Sequence, residues 1–393
     1  MSRPVEQATS LILISAGAFL LPLIAGPLRL PAVVLEISFG VLAGPHVVGL
    51  IQQSAFLDLL AELGFFLLMF LSGFEIDLHA FERQGWGNFV TALLVFGLTL
   101  ASSYLVARIL GHGLFMALVL ATTSVGVVVP TLRNSRRTST PLGQAILLSA
   151  ILADFLTLLG VTVFALVFEK GLGLELFNIP LFFALIALVL LALRRAAWWN
   201  PDRFQRLFAS DDPDELGIRA SLALMLMFVG LSIALGIEPI LGAFLAGTVF
   251  ALVFRYRGSL ERQLSGFSYG FLIPVFFINV GVRFRVEALF EPGVLTAELA
   301  LIVGAVAVKM LPSLVLFARG LSAREVLAAG TLLAARLSFI IAVAELGVEL
   351  GVIDTTQEAG VILLAALTTT VAPVLFQLLV PPLGALRPIA ETR

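Results

Sequence analysis

Apolar stretches of about 20 residues, each long enough to cross a bilayer as an α-helix, follow one another along the whole chain. Short polar segments and residues such as Pro31, Pro141 and Pro292 separate them. The pattern predicts an all-α polytopic membrane protein with about thirteen transmembrane helices. The predicted spans are residues 9–26, 31–50, 56–76, 86–108, 112–132, 140–168, 176–195, 217–236, 238–256, 266–283, 294–318, 324–346 and 358–380.

Composition supports this pattern. The 393 residues are 60% hydrophobic and 13% charged, whereas a soluble domain is about half apolar and about a quarter charged. The longest polar loop covers only residues 196–217, so we expect a single transmembrane unit over residues 1–393 and no soluble regulatory domain. The lack of Cys excludes disulfides and thiolate metal sites.

The distribution of basic residues predicts the orientation. Thirteen spans place the two termini on opposite sides of the membrane. With the N-terminus outside, seventeen of the 24 Lys and Arg residues fall in cytoplasmic segments and five fall outside. Because basic residues in short loops favour the cytoplasmic side, we expect an external N-terminus and a cytoplasmic C-terminus.

Three charged residues lie deep within predicted spans: Asp154, Lys309 and Arg336. A charge at the bilayer centre costs about 2.5–3.5 kcal/mol on insertion scales, so each requires a partner or a function. Asp154 either forms a structural ion pair, for example with Lys309, or exchanges a proton for a cation. Lys309 is a proton carrier, an ion-pair partner of the site or a fixed structural cation. Arg336 does not deprotonate, and we expect it to hold helix ends or acidic partners.

The fifth span contains the polar stretch "ATTSVG" with Thr122, Thr123 and Ser124, followed by Gly126 and Pro130. Gly and Pro weaken a helix, so the stretch predicts an interruption at membrane depth. Such backbone is tolerated where it is buried or lines a cavity, and its carbonyl and hydroxyl oxygens suit an alkali cation. The alternative is an ordinary packing face of small residues.

The chain also shows an internal symmetry. Spans four to six (86–168) and eleven to thirteen (294–380) are seven spans apart, an odd offset that reverses their direction through the membrane. The middle member of each set has a polar interruption, "ATTSVG" in one and "AARLSF" in the other. Paired interruptions of this kind indicate a transporter site near the membrane midplane. We therefore predict an inverted repeat with two crossing discontinuous helices.

Several motifs resemble the monovalent cation:proton antiporter superfamily, in particular bacterial Na⁺/H⁺ and K⁺/H⁺ exchangers of the NapA and Kef type. They are "LEISFGVLAGPHVVGL", "LAELGFFLLMFLSGFEIDL", "LATTSVGVVVPTLRNS", "EPILGAFLAGTVFA" and "FLIPVFFINVGVRF". The resemblance implies an ion-translocating core of helices at about 86–168 and 294–380, and dimerisation helices at about 9–50 and 176–256. It also implies elevator-like alternating access, a homodimer and a bacterial inner membrane.

The resemblance assigns roles to individual residues. Asp154 matches the essential carboxylate, Lys309 matches the lysine of the eleventh span, and Thr122, Thr123 and Ser124 match the unwound stretch. Arg336 matches the first residue of an Arg-Gly-Glu-Phe motif. The chain departs from the family pattern in two places: Ala153 stands where members have a polar residue, and Ser338 replaces the Glu. Glu345 is the candidate that compensates for the second departure.

We therefore expect a secondary transporter that exchanges Na⁺ or K⁺ for H⁺ at Asp154, without a cofactor and without a nucleic-acid partner. A channel or uniporter, or a non-transporting sensor on the same fold, is the alternative. An enzyme is disfavoured because the sequence contains no paired catalytic Asp, metal-ligating His pair or Ser-His arrangement.

Overall fold

The computed structural model describes residues 4–28, 30–74, 78–199, 215–253, 258–287 and 294–380. Within these ranges the chain is helical and contains no β-strand. Most of the polar loop at 196–217 and the C-terminal tail lie outside the described residues.

The described residues form sixteen α-helices. The first eight are α1 (Pro4–Leu28), α2 (Ala32–Ala43), α3 (Ala55–Phe74), α4 (Leu78–Ile109), α5 (Leu114–Ala121), α6 (Val125–Asn134), α7 (Pro141–Lys170) and α8 (Asn178–Trp199). The others are α9 (Leu216–Leu235), α10 (Pro239–Val253), α11 (Gly258–Phe267), α12 (Ile273–Arg283), α13 (Val294–Ser313), α14 (Ala323–Leu333), α15 (Ser338–Glu349) and α16 (Thr355–Leu379).

Each of the thirteen predicted spans has a helix or a helix pair at its place. Ten helical segments of the described chain have the length and apolar composition to cross a membrane, and α2 and α10 are shorter apolar helices. The fifth predicted span is divided into α5 and α6, and the twelfth into α14 and α15. The predicted fold class, an all-α membrane protein with two discontinuous helices, is confirmed.

The chain divides into two compact units. Unit 1 comprises residues 1–78 and 162–286, and unit 2 comprises residues 79–161 and 287–393. Unit 2 contains both three-helix sets of the predicted repeat: α4, the α5–α6 pair and most of α7 in one, and α13, the α14–α15 pair and α16 in the other. The roles that the sequence predicts for the two groups of helices, transport and dimerisation, stay predictions.

Glycines allow close helix packing inside unit 1. A Cβ atom on Gly247 of α10 would collide with the carbonyl oxygen of Phe70 in α3, and one on Gly73 would collide with the carbonyl of Phe244. The two helices therefore touch through their backbones at two points. Small residues at such crossings are the usual means by which membrane helices approach each other closely.

Replacing Gly247 by Ala should therefore lower the thermal stability of the protein. The added methyl group meets backbone atoms, which cannot rotate away, so α3 and α10 must separate. Overpacking of this kind costs about 1–3 kcal/mol. Gly230→Ala in α9 is the matched control because no atom lies within 4 Å of its added Cβ. Equal melting temperatures for the two variants in detergent would contradict this packing.

Candidate ion-binding site

The interruptions of the two broken helices meet in unit 2. The backbone N–H of Ser124, at the start of α6, donates to the carbonyl oxygen of Ala335 at 3.0 Å. The hydroxyl of Thr123 donates to the carbonyl oxygen of Leu333, the last residue of α14, at 3.3 Å. These two bonds join segments that are more than 200 residues apart in the chain, so each interruption satisfies polar groups of the other.

The first interruption falls at the three hydroxyl residues themselves. Helix α5 ends at Ala121 and α6 begins at Val125, whereas Gly126 and Pro130 both lie within α6. Gly126 and Pro130, which the sequence suggested as the cause of the interruption, therefore do not determine where the helix breaks. Ser and Thr side chains compete with the helix for backbone hydrogen bonds, and the hydroxyl of Thr122 indeed donates to the carbonyl of Val119 at 2.8 Å.

Arg336 lies in the second interruption and is fully buried, at 0% exposure. Its guanidinium donates to the carbonyl oxygens of Leu120 and Ala305 at 2.8 Å and of Ala334 at 3.0 Å. Leu120 and Ala334 lie at the C-terminal ends of α5 and α14, where helix carbonyls lack partners within the helix. The cation also complements the partial negative charge of those helix ends. The structural role that the sequence predicts for Arg336 stays a prediction.

Lys309 projects from α13 towards the first interruption and is 3% exposed. Its Nζ donates to the carbonyl oxygen of Ala121 at 2.6 Å and to the hydroxyl of Thr123 at 2.7 Å. Thr123 in turn donates to Leu333, so the lysine is linked through one hydroxyl to both broken helices. These bonds connect Lys309 to the crossing, and its role as proton carrier or ion-pair partner stays a prediction.

Asp154 lies near the middle of α7 and is 8% exposed. Asp154 and Arg336 are each close enough to Lys309 for electrostatic interaction. Thr157, one turn further along α7, donates to the backbone carbonyls of Ala153 and Asp154. Because its hydroxyl bonds to its own helix, it does not replace the polar side chain that Ala153 lacks.

The structure thus groups most of the residues that the sequence singled out. Thr122, Thr123 and Ser124 are all buried at the first interruption. Glu345 is half-buried in α15, seven residues beyond Ser338. It therefore lies about 10 Å along the helix from that position, and its compensating role stays a prediction. The side chain of Ser338 is outside the described atoms.

Two further residues of unit 2 were not identified from the sequence. Thr369 of α16 donates its hydroxyl to the carbonyl oxygen of Arg336, and this fixes the backbone of the second interruption. Glu298, at the start of α13, is buried at 5% exposure. It is eleven residues from Lys309, a spacing of three helical turns, and this periodicity is the signal that would have identified it.

The chemistry available here is that of one carboxylate with hydroxyl and carbonyl oxygens. These are hard ligands, which suit alkali rather than soft metal ions. The part of the chain that the structure describes contains no cluster of three or more His, Cys, Asp or Glu residues that would hold a resident metal ion. Binding of a monovalent cation at Asp154 stays a prediction.

Comparison with known proteins agrees with this chemistry. The profile of the family described as "Sodium/hydrogen exchanger, transmembrane" matches residues 14–380. "Putative Na(+)/H(+) antiporter YjbQ" of Bacillus subtilis is 33% identical in an alignment of 391 positions, which covers 94% of this chain and 63% of that protein. "Na(+)/H(+)-K(+) antiporter GerN" of Bacillus cereus is 26% identical, over 87% of this chain and 88% of its own length.

A solved structure shares the fold. The sodium proton antiporter MjNhaP1 from Methanocaldococcus jannaschii superposes with a TM-score of 0.61 over 96% of this chain and 100% of the other, at 16% identity. This likeness concerns the fold alone. The chain covers less than two thirds of the length of YjbQ.

Proposed function

We propose that this chain, which belongs to the transmembrane sodium/hydrogen exchanger family, exchanges a monovalent cation for protons across a membrane, with Asp154 as the exchange site. Proteins of this family and fold are transporters rather than enzymes. The observation that carries the residue assignment is the position of Asp154. It is a buried carboxylate within electrostatic range of Lys309, which is bonded to the crossing of the two broken helices.

Exchange would follow from competition at this carboxylate. Asp154 binds a proton or a cation, and either one neutralises it. The bare carboxylate is costly to move through a medium of low dielectric constant, so the site crosses the barrier only when it is loaded. This rule couples the flux of cations in one direction to the flux of protons in the other.

We assign the moving part to unit 2, because it contains both halves of the repeat and every residue of the candidate site. In this proposal, unit 2 alternates between the two sides in an elevator-like motion. Unit 1 supplies the contact for a homodimer. The chain would lie in a bacterial inner membrane with its N-terminus outside and its C-terminus in the cytoplasm, surrounded by lipid.

The transported cation is Na⁺ or K⁺ in this proposal. The relatives YjbQ and GerN are named for Na⁺/H⁺ and Na⁺/H⁺-K⁺ antiport respectively. A site of one carboxylate with neutral oxygens is compatible with both ions, and ligand spacing decides between them.

The function is tested with the purified chain in proteoliposomes carrying an imposed pH gradient and a fluorescent pH probe. Addition of NaCl or KCl should dissipate the gradient, whereas choline chloride should not. The membrane potential is then clamped with valinomycin and K⁺, and NaCl is added. A Na⁺ current that persists without a pH change would identify a channel. Cation binding without any flux would identify a non-transporting sensor.

We expect the exchange to be electroneutral, because one titrating carboxylate exchanges one proton for one monovalent cation. Lys309 would keep its proton through the cycle, held by Ala121 and Thr123. The initial rate of Na⁺-driven proton movement should then be the same at zero and at inside-negative clamped voltage. A rate that changes with voltage in wild type but not in Lys309→Gln would instead make Lys309 a proton carrier.

A further inference from the structure

A second buried carboxyl group of unit 2 lies away from the candidate ion site. Glu298 is in the first turns of α13, and nineteen-twentieths of its surface is buried. Its Oε2 atom has no hydrogen-bond partner among the described residues. An ionised carboxylate loses hydration in such surroundings, so burial of this group favours its protonated form.

The surroundings of Glu298 are formed by the start of α16. The carboxyl group lies directly against Gly360, where a Cβ atom would collide with both of its oxygens. Any larger residue at this position would displace the Glu298 side chain. The chain therefore leaves room for this acid by placing a glycine in the facing helix.

Other titratable groups lie at the same end of unit 2. Asp354 caps α16 by accepting from the N–H of Gln357 at 2.8 Å. The amide of Gln357 is 3.2 Å from Nδ1 of His112, in the segment before α5. The carboxylate of Asp354 is in electrostatic range of both His112 and Glu298, and Glu358 is the remaining acid in this first turn of α16.

His112 is a titratable residue in the segment between α4 and α5. Burial lowers the pKa of its imidazole, and the nearby Asp354 carboxylate partly offsets this effect. The ring is therefore neutral at neutral pH and takes up a proton only on acidification, which is compatible with the hydrogen bond to Gln357. The end of unit 2 thus combines an exposed acid, a histidine and a buried acid.

The helix geometry relates Glu298 to the ion site. Glu298 and Lys309 are eleven residues apart, which places them within about 20° of each other around α13 and about 16 Å apart along it. Ala305, whose carbonyl accepts from Arg336, lies on the same face. The buried acid therefore points to the side of α13 that faces the crossing, three turns from the site.

We propose that Glu298 is a second proton-binding site of this chain, occupied in the conformation described and emptied when the end of unit 2 that holds His112 and Asp354 opens to water. The proposal deepens the proposed function, on which its consequence for transport rests. The ligand in this proposal is a proton, which one carboxyl group binds alone, whereas a cation requires several oxygen ligands.

The consequence is a dependence of transport on pH that is separate from competition at Asp154. Protonated Glu298 favours the conformation described, in which its carboxyl group is buried. Ionised Glu298 favours a conformation in which water reaches the carboxylate. Raising the pH on this side should therefore speed exchange in wild type even when the cation is saturating. Glu298→Gln, which imitates the protonated acid permanently, should lose that acceleration while still exchanging cations for protons.

Infrared difference spectroscopy tests the proton directly, without a transport readout. Spectra recorded between acidic and alkaline pH are compared for full-length Asp154→Asn and for the double variant Asp154→Asn/Glu298→Gln in nanodiscs. The carbonyl band of protonated carboxylic acids should contain a component in the first that is absent from the second. Identical spectra would overturn the proposal, and so would a band in Asp154→Asn that disappears on addition of NaCl at constant pH.

A second variant keeps the test decisive if Glu298→Gln does not fold. Gly360→Ala adds a methyl group where the carboxyl group lies, so it should shift the band or remove it, and an unchanged band would overturn the proposal. Failure of the proposed function is separate: it would appear as full exchange activity of Asp154→Asn, whereas the infrared result concerns Glu298 alone.

Discussion

We expect Asp154→Asn to abolish the exchange of cations for protons in proteoliposomes and to leave the protein folded. The amide keeps the shape of the side chain but neither binds a proton near neutral pH nor carries the charge that attracts a cation. Asp154 is buried within electrostatic range of Lys309. An exposed carboxylate elsewhere therefore does not replace it as the binding group. The measurement is the initial rate of Na⁺- or K⁺-driven dissipation of a pH gradient.

Asp58→Asn is the matched control for this loss. Asp58 accepts from Arg283 at 2.7 Å in unit 1, and both side chains are more than one third exposed. An exposed ion pair contributes only about 0–1 kcal/mol, so this variant should retain exchange. Undiminished transport by Asp154→Asn, or equal loss in both variants, would contradict the assignment of the site.

The second large effect is expected at Arg336. In Arg336→Leu, the carbonyl oxygens of Leu120 and Ala334, at the ends of their helices, lose their donor inside the protein, and that of Ala305 loses its bond to the guanidinium. Each buried unpaired acceptor costs about 1–3 kcal/mol. The loss is therefore a large part of the stability of many proteins, about 5–15 kcal/mol. We expect a protein that is strongly destabilised and inactive, as measured by yield, melting temperature and transport rate.

Arg324→Leu is the control for Arg336. Arg324 also donates to a backbone carbonyl, that of Leu378 at 3.3 Å, but it does so at an exposed position where water replaces the lost bond. Arg336→Lys separates charge from geometry, because lysine keeps the charge but not the planar set of donors. Wild-type stability in Arg336→Leu would show that the guanidinium does not hold the helix ends.

Much of the architecture could be predicted from the sequence, because the membrane imposes a simple rule. A helix that crosses lipid must be long and apolar, so every span was visible as a hydrophobic run. The cost of charge in lipid likewise identified Asp154, Lys309 and Arg336. The hydroxyl stretch Thr122–Ser124 marked the first interruption because polar side chains compete with helix hydrogen bonds.

The partners of these residues could not be predicted, because they belong to segments far away in the chain. The bond from Lys309 to Thr123 joins residues 186 positions apart. The carbonyls that accept from Arg336 belong to three different segments of the chain. Pro130 lies inside α6, several residues after the break, so it does not mark the position of the break. Glu298 resembles an interfacial residue until the face of α13 is known.

The central claim is that one carboxylate binds either a proton or a cation, and proton release on cation binding tests it most directly. NaCl or KCl is added to purified, weakly buffered protein in detergent near neutral pH, and the released protons are measured with a pH indicator. We expect saturable proton release by wild type and by Asp58→Asn, and none by Asp154→Asn. Equal release by Asp154→Asn, or cation binding by wild type without proton release, would contradict it.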